Sequence, residues 1–220
     1  MATTKKQRLG ILVILIATVV GTLGSFAVMV LSSQNQAKAT AKQQKAVSDY
    51  QAQYKAYQAK VDAQAADLSA TYYPTFSQYA SQVGTFDAAS VKDMATQDLV
   101  VGSGETINGT TKFAAYYIGW NPKGKVFDQS IDTTKLKAPL TVDTGLDTAS
   151  LITGWKDGMK GMKIGGVRVI TIPSDKAYGE QGQGNDIPPN TPLKFVVMAI
   201  PAPTAIPQPQ IPAEAYQTTQ

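Results

Sequence analysis

The first long pattern along the chain is an unbroken apolar run. Residues 9–31 (LGILVILIATVVGTLGSFAVMVL) are 23 positions without a charge, directly after Lys5, Lys6 and Arg8. At ~1.5 Å per residue such a helix crosses the roughly 30 Å hydrocarbon core of a bilayer. It is apolar all round, and too long for the roughly 7–15-residue core of a cleavable signal peptide. The pattern predicts a transmembrane helix. Its basic residues crowd the N-terminal flank, whereas Lys38, Lys42 and Lys45 start well beyond the other end. That bias predicts a single-pass cell-membrane protein with a cytoplasmic N-terminus and an extracytoplasmic remainder.

The period then changes. From 34 to about 70 the chain is rich in Gln, Ala and Lys and free of Pro and Gly, which favours helix. Val47, Tyr50, Tyr54, Tyr57, Val61, Gln64 and Leu68 recur at alternating spacings of three and four, with one polar exception at Gln64. Two readings fit: a coiled-coil seam that makes a homodimer through this stalk, or a single amphipathic helix laid on the following domain. Between 71 and 96, Pro74 and Gly84 interrupt the pattern and predict a joint with a short helix.

From 98 onward the dominant period is two. Strands are predicted at 98–101, 112–120, 126–130, 166–173 and 192–200 from β-branched and aromatic content. Phe113, Ala115, Tyr117 and Gly119 share one face, as do Leu193, Phe195, Val197 and Ala199. A helix at 150–160 stacks Ile152, Trp155 and Met159. The expected class is α+β, an antiparallel sheet wrapped on one short helix, preceded by a transmembrane helix and a helical stalk. Pro201, Pro203, Pro207, Pro209 and Pro212 then predict an extended tail. The resulting organisation is a basic N-terminus at 1–8, a membrane span at 9–31, a stalk and joint at 32–91, a domain at 92–201 and a flexible tail at 202–220.

Composition narrows the chemistry. The 220 residues include no histidine and no cysteine, which excludes Ser-His-Asp and Cys-His nucleophiles, the common zinc sites, haem and iron–sulfur ligation, and disulfides. The formal charge is +4, but residues 92–201 hold twelve basic against eleven acidic side chains, so the domain is no nucleic-acid platform. Residues 119–126 nearly spell a phosphate-binding loop, yet Val126 stands where the magnesium-holding Ser or Thr belongs, and the segment reads as a hairpin turn. Gly158, Gly161, Gly165 and Gly166 do not fit a dinucleotide signature and are expected to mark a helix end and a turn. Neither a metal nor a cofactor is implied.

Four segments carry chemistry together. They are Tyr116-Tyr117-Ile118-Gly119; Gly124-Lys-Val-Phe127-Asp128-Gln-Ser130; Leu151-Ile152-Thr-Gly154-Trp155-Lys-Asp-Gly158 with Met162 and Gly165; and Ile172-Pro-Ser-Asp175-Lys-Ala177-Tyr178-Gly179 followed by Ile187-Pro188-Pro189-Asn190 and Leu193-Lys-Phe195. In this order and spacing, residues of about 92–201 resemble the FK506-binding-protein family of peptidyl-prolyl cis-trans isomerases. The resemblance implies one apolar pocket built from Tyr117, Phe127, Asp128, Leu140, Leu151, Ile152, Trp155, Tyr178, Ile187 and Phe195, with Trp155 as its floor. It further implies that the Tyr178 hydroxyl and the Ile152 N–H bond the peptide, while Tyr117 and Asp128 line the side where the prolyl carbonyl turns. Proline-containing clients and macrolide inhibitors are the implied ligands; a proline-binding or chaperone-like module with little isomerase activity is the alternative. Pro139-Leu140-Thr141-Val142 replaces the family's P-F-x-F, and Asp186 precedes Ile187 where many members are apolar, which implies a bias against acidic peptides. Ile206-Pro207 and Ile211-Pro212 in the tail are apolar-prolyl pairs that such a pocket could itself accept.

Overall fold

The computed structural model of the protein describes residues 34–216. The membrane span read at 9–31 lies outside the described residues, and no described helix is long and apolar enough to cross a membrane. The described residues form two compact units, 34–53 with 209–216 and Tyr54–Gln208. Helix α1 (Gln34–Phe76) enters both.

In the smaller unit the Lys45 ammonium lies 2.7 Å from Asp49, one turn on, and Lys42 lies 3.3 Å from Glu214 in the short 3-10 turn Ala213–Tyr216. Glu214's own backbone N–H and the Lys42 ammonium hold that carboxyl below the usual glutamate range. These are exposed pairs and contribute little to stability.

In the larger unit the second reading of the α1 seam is the one the contacts carry. Leu68, Tyr72 and Tyr73 pack against an apolar cluster of the domain, and Phe76 is wholly buried in it. Further up the helix Tyr54, Tyr57, Val61 and Gln64 are half-buried, and the polar exception has a use, since Gln64 Nε2 donates to the Thr204 carbonyl at 2.8 Å. Pro74, expected to break the helix, instead sits in its last turn, and the chain continues to Phe76 and into a 3-10 turn at Ser77–Gln82. Proline forfeits one intrahelical bond there, while Tyr72 and Phe76 gain apolar burial on either side of it.

The main sheet has six strands, β1 (Ala95–Val100), β2 (Phe113–Trp120), β3 (Val126–Gln129), β6 (Leu140–Val142), β7 (Val167–Ile172) and β8 (Leu193–Pro201). It is antiparallel with order β1-β7-β8-β2-β3 and β6 also paired to β2. A separate ribbon pairs β4 (Ile131–Asp132) with β5 (Lys135–Leu136). All five predicted strands are present to within a few residues; β4, β5 and β6 are too short to give a periodic signal.

Both faces of the sheet are covered. Phe113 and Ala115 of β2 with Phe195, Val197 and Ala199 of β8 face a cluster containing Trp155 and Met159. Ala114, Tyr116, Ile118 and Trp120 face the opposite cluster, beneath Tyr72, Phe76 and Phe86. The end of α1 and the joint therefore roof the face away from Trp155.

Helix α2 (Thr153–Met159) lies on the first face. Gly154 and Gly158 make this possible: a Cβ at either would fall 2.2 or 2.4 Å from a methyl of Ile172 or Ile170. Gly158 lies in the last turn of the helix, and close approach to β7 as well as the helix end decides the residue. Arg168, 8% exposed, then ties helix to sheet. Its Nη1 donates to the Gly158 and Lys160 carbonyls at 2.9 and 3.1 Å, and its Nε and Nη2 donate to Asp98 at 2.5 and 3.0 Å.

Candidate active site

The site is assembled from three pieces of chain. The first is the β2–β3 hairpin. Ser130, buried, accepts from the Tyr117 N–H through its hydroxyl at 2.9 Å and donates its own N–H to the Tyr117 carbonyl at 2.8 Å. This pair of bonds fixes Tyr117 opposite the strand that carries Phe127 and Asp128. The Tyr117 hydroxyl donates to Asp128 Oδ2 at 2.5 Å. Asp128 is exposed, not buried among apolar neighbours, so only its bonded edge belongs to the site.

The second piece is the start of α2. The Ile152 carbonyl accepts from the Trp155 and Lys156 N–H groups at 3.0 and 3.2 Å, and the Ile152 N–H has no acceptor among the described residues. The Trp155 indole is 3% exposed. It stands edge-on to the Tyr117 ring, with centroids 6.4 Å apart at 83°. Phe195 of β8 meets the Tyr117 ring at 6.4 Å and the Phe127 ring at 5.5 Å, edge-on to the latter.

The third piece is the loop 178–190, which closes on itself. Gly182 N–H donates to the Tyr178 carbonyl at 3.2 Å, Gln183 N–H to the Ile187 carbonyl at 2.8 Å, and Asn190 N–H to the Gly179 carbonyl at 2.8 Å. Asn190 adopts φ +57, which Asn tolerates better than most side chains. The loop presents Tyr178 and Ile187 to the same cluster.

The structure therefore brings the sequence-predicted residues together. Trp155, Ile187 and Phe195 are buried in one apolar cluster, and Tyr117, Phe127, Leu140, Leu151, Ile152 and Tyr178 are half-buried against it. Asp128 joins through its bond to Tyr117. Burial pushes the Tyr117 phenol well above its ordinary range, and the adjacent Asp128 carboxylate pushes it further. Burial raises Tyr178 too, again with help from the charge of Asp128. Both phenols are kept protonated, and the Tyr178 hydroxyl has no acceptor among the described residues.

An apolar floor, a rim of neutral hydroxyls and one carboxylate suit a reaction that makes no covalent bond. Rotation about an X-Pro amide has a barrier of about 18–20 kcal/mol because twisting sacrifices resonance. The twisted amide is less dipolar than the planar one, so a site poor in water favours it. Sequence comparison agrees with this chemistry. The protein-family model for FKBP-type peptidyl-prolyl cis-trans isomerase matches residues 103–200. The FK506-binding protein of Neisseria meningitidis serogroup A is 40% identical over 101 residues, covering 46% of this chain and 88% of that protein.

The chain belongs to the FKBP-type peptidyl-prolyl cis-trans isomerase family. FK506-binding protein 4 of Dictyostelium discoideum is 44% identical over 101 residues, 46% of this chain but 26% of that longer protein. A probable FKBP-type peptidyl-prolyl cis-trans isomerase of Haemophilus influenzae is 40% identical over 96 residues, 44% of this chain and 37% of that one. The domain is thus an FKBP-type isomerase, an enzyme that interconverts cis and trans X-Pro bonds, a step that otherwise takes tens to hundreds of seconds.

Two supporting residues have no role assigned by the sequence alone. Ser130 stands in the Phe127-Asp128-Gln-Ser130 segment, where its place at a strand end was the available signal. Asn121 is 5% exposed, and its Oδ1 accepts from the Lys123 and Lys125 N–H groups at 3.0 and 3.1 Å. An Asn directly before Pro signals such a turn, but nothing in the sequence says what its amide nitrogen reaches.

Proposed function

We propose that the FKBP-type domain works outside the cytoplasm on proline-containing segments of exported or cell-surface proteins, held to the cell membrane by residues 9–31. In this reading Trp155 is the floor on which the prolyl ring rests, with Leu140, Leu151, Ile187 and Phe195 as apolar walls. The Tyr178 hydroxyl and the Ile152 N–H bond the peptide, and Tyr117, Phe127 and Asp128 line the side where the prolyl carbonyl turns. The observation that carries the pocket reading is the pair of donors without protein acceptors, both at the edge of the Trp155 cluster. An unpaired donor beside apolar surface suits a ligand carbonyl. The same floor and donors suit a macrolide of the FK506 type.

The anchor rests on the uncharged run at 9–31 and the basic residues before it. Of the two tryptophans, Trp155 lies in the proposed floor and Trp120 on the opposite face of the sheet. A Leu-Pro peptide or FK506 should therefore change the tryptophan emission of the full chain, and Trp155→Phe should abolish the change. Emission that responds equally in that variant would refute the floor. Deleting 9–31 should move the protein from the membrane pellet to the soluble fraction; a deletion variant that still sediments with membranes would remove the anchor.

A further inference from the structure

The two sides of the pocket come from separate pieces of chain, and beyond strand pairing and the shared apolar cluster a small polar cluster connects them. Asn121 Nδ2 donates to the Asp186 carbonyl at 2.9 Å, while its Oδ1 organises the β2–β3 turn through Lys123 and Lys125. Lys125 Nζ meets Asp186 Oδ1 at 2.5 Å. Asp186 directly precedes Ile187 in the self-closed loop that also carries Tyr178. At the other end the turn leads straight into Phe127 and Asp128.

Each partner is itself firmly held. The turn is backed by the joint, since the Phe86 N–H donates to the Pro122 carbonyl at 3.0 Å and Thr85 bridges to Lys123. The Lys194 ammonium sits 4.8 Å over the Phe86 ring. The loop is stiffened where Gly182, at φ +63, passes so close to the Ile187 carbonyl that a Cβ would lie 2.3 Å from it. The base of the loop is already tied to the hairpin by strand pairing, Lys194 and Phe195 of β8 opposite Trp120 and Gly119 of β2, so the polar cluster governs the tip of the loop at Asp186 and Ile187.

We propose that Asn121, Lys125 and Asp186 form a latch that fixes the Tyr178–Ile187 side of the pocket against the Tyr117–Asp128 side. These are positioning residues, and the proposal rests on the pocket reading above. The Asp186 carboxylate is matched by Lys125. With the latch open, only a fraction of molecules hold the pocket in its binding shape, and apparent affinity falls by that fraction while turnover from the bound state is retained. Lys125 is 61% and Asp186 38% exposed at the side chain, so the ionic half has the modest strength of a surface pair and is screened by salt. The Asn121 amide is buried and is not.

The test is steady-state isomerisation of an uncharged Leu-Pro peptide by the full chain. Lys125→Gln and Asp186→Asn should each raise KM about threefold with kcat unchanged, and the double variant should match the singles because one interaction is removed either way. Wild-type KM should climb towards theirs as salt rises, whereas theirs should stay level. Asn121→Asp keeps the acceptor for the turn but sets a carboxylate oxygen against the Asp186 carbonyl, and should raise KM about tenfold. Singles with wild-type melting temperatures and wild-type KM, or singles whose effects multiply in the double, would overturn the latch. Tyr178→Phe separates the two readings: if it lowers turnover while the latch variants keep KM, the latch alone is wrong. If it leaves turnover intact, the pocket reading fails and takes the latch with it.

Discussion

Tyr117 and Asp128 show how much one contact can settle. The phenol donates at 2.5 Å and is raised above its ordinary range by burial first and by Asp128 second. Tyr178 is raised by the same two causes. A tyrosine ordinarily titrates near 10, so both rim phenols stay neutral through the range in which the enzyme is assayed. We predict a kcat/KM that is flat from about pH 6 to about pH 9; a fall centred near pH 8 would show that one of them ionises early. Tyr116 on the opposite face, pushed up to about 12 mainly by burial, adds to the alkaline effect. A group with a raised folded pKa contributes stability below its unfolded value and loses it as pH rises through the folded one, so thermal stability should decline only above about pH 10. Tyr117→Phe should lower kcat/KM by about tenfold, of the order of one charge-assisted hydrogen bond, with little change in melting temperature. The order and spacing of the motifs are enough to make these residues legible in the sequence. They do not show that Asp128 is exposed, because sequence gives a residue's neighbours along the chain and not the depth of its carboxylate.

At the scale of elements, α2 and β7 are held by a close approach and a buried cation. Gly158→Ala should cost about 1–3 kcal/mol, since the Ile170 methyl it meets is fixed to Cβ and cannot swing away; a melting temperature equal to wild type would show that the helix can lift. Asp98 is held below its ordinary range chiefly by the hydrogen bonds from Arg168. A carboxylate with a depressed folded pKa contributes stability above its unfolded value of about 3.9 and loses it as pH falls through the folded one. Asp98→Asn should therefore destabilise the domain at neutral pH and flatten the acid limb of a stability-against-pH curve. An unchanged acid limb in that variant would contradict the assignment. The long strands were legible from period-two runs and α2 from its stacked Ile152, Trp155 and Met159. The Arg168 tie was not, because Asp98 and Arg168 are separated by 70 residues and nothing local marks them as a pair. The end of α1 was misread for a related reason: Pro74 is a local signal for a break, and the packing of Tyr72 and Phe76 on the distant sheet outweighs it.

For the whole molecule, the family match covers residues 103–200, yet structural support for the domain begins earlier. Phe76 is wholly buried against the sheet and Phe86 backs the β2–β3 turn. Within the larger unit, the stretch before Ile206-Pro207 is tied to α1 where Gln64 Nε2 donates to the Thr204 carbonyl. Gln64→Ala should accordingly lower stability by no more than about 1 kcal/mol, the scale of one exposed hydrogen bond; a larger loss of melting temperature would show that this tie holds the end of the domain in place. Isomerisation should depend on the pocket bounded by Trp155, Tyr117, Asp128 and Tyr178. The direct measurement is cis-to-trans conversion of a Leu-Pro peptide by the full chain beside an Asp128→Asn and Tyr178→Phe double variant of matched melting temperature. The wild type should accelerate the conversion, and the double variant should lose that acceleration by about a hundredfold, the scale of two charge-assisted or donor contacts made in the transition state. Equal acceleration by both proteins would contradict that dependence.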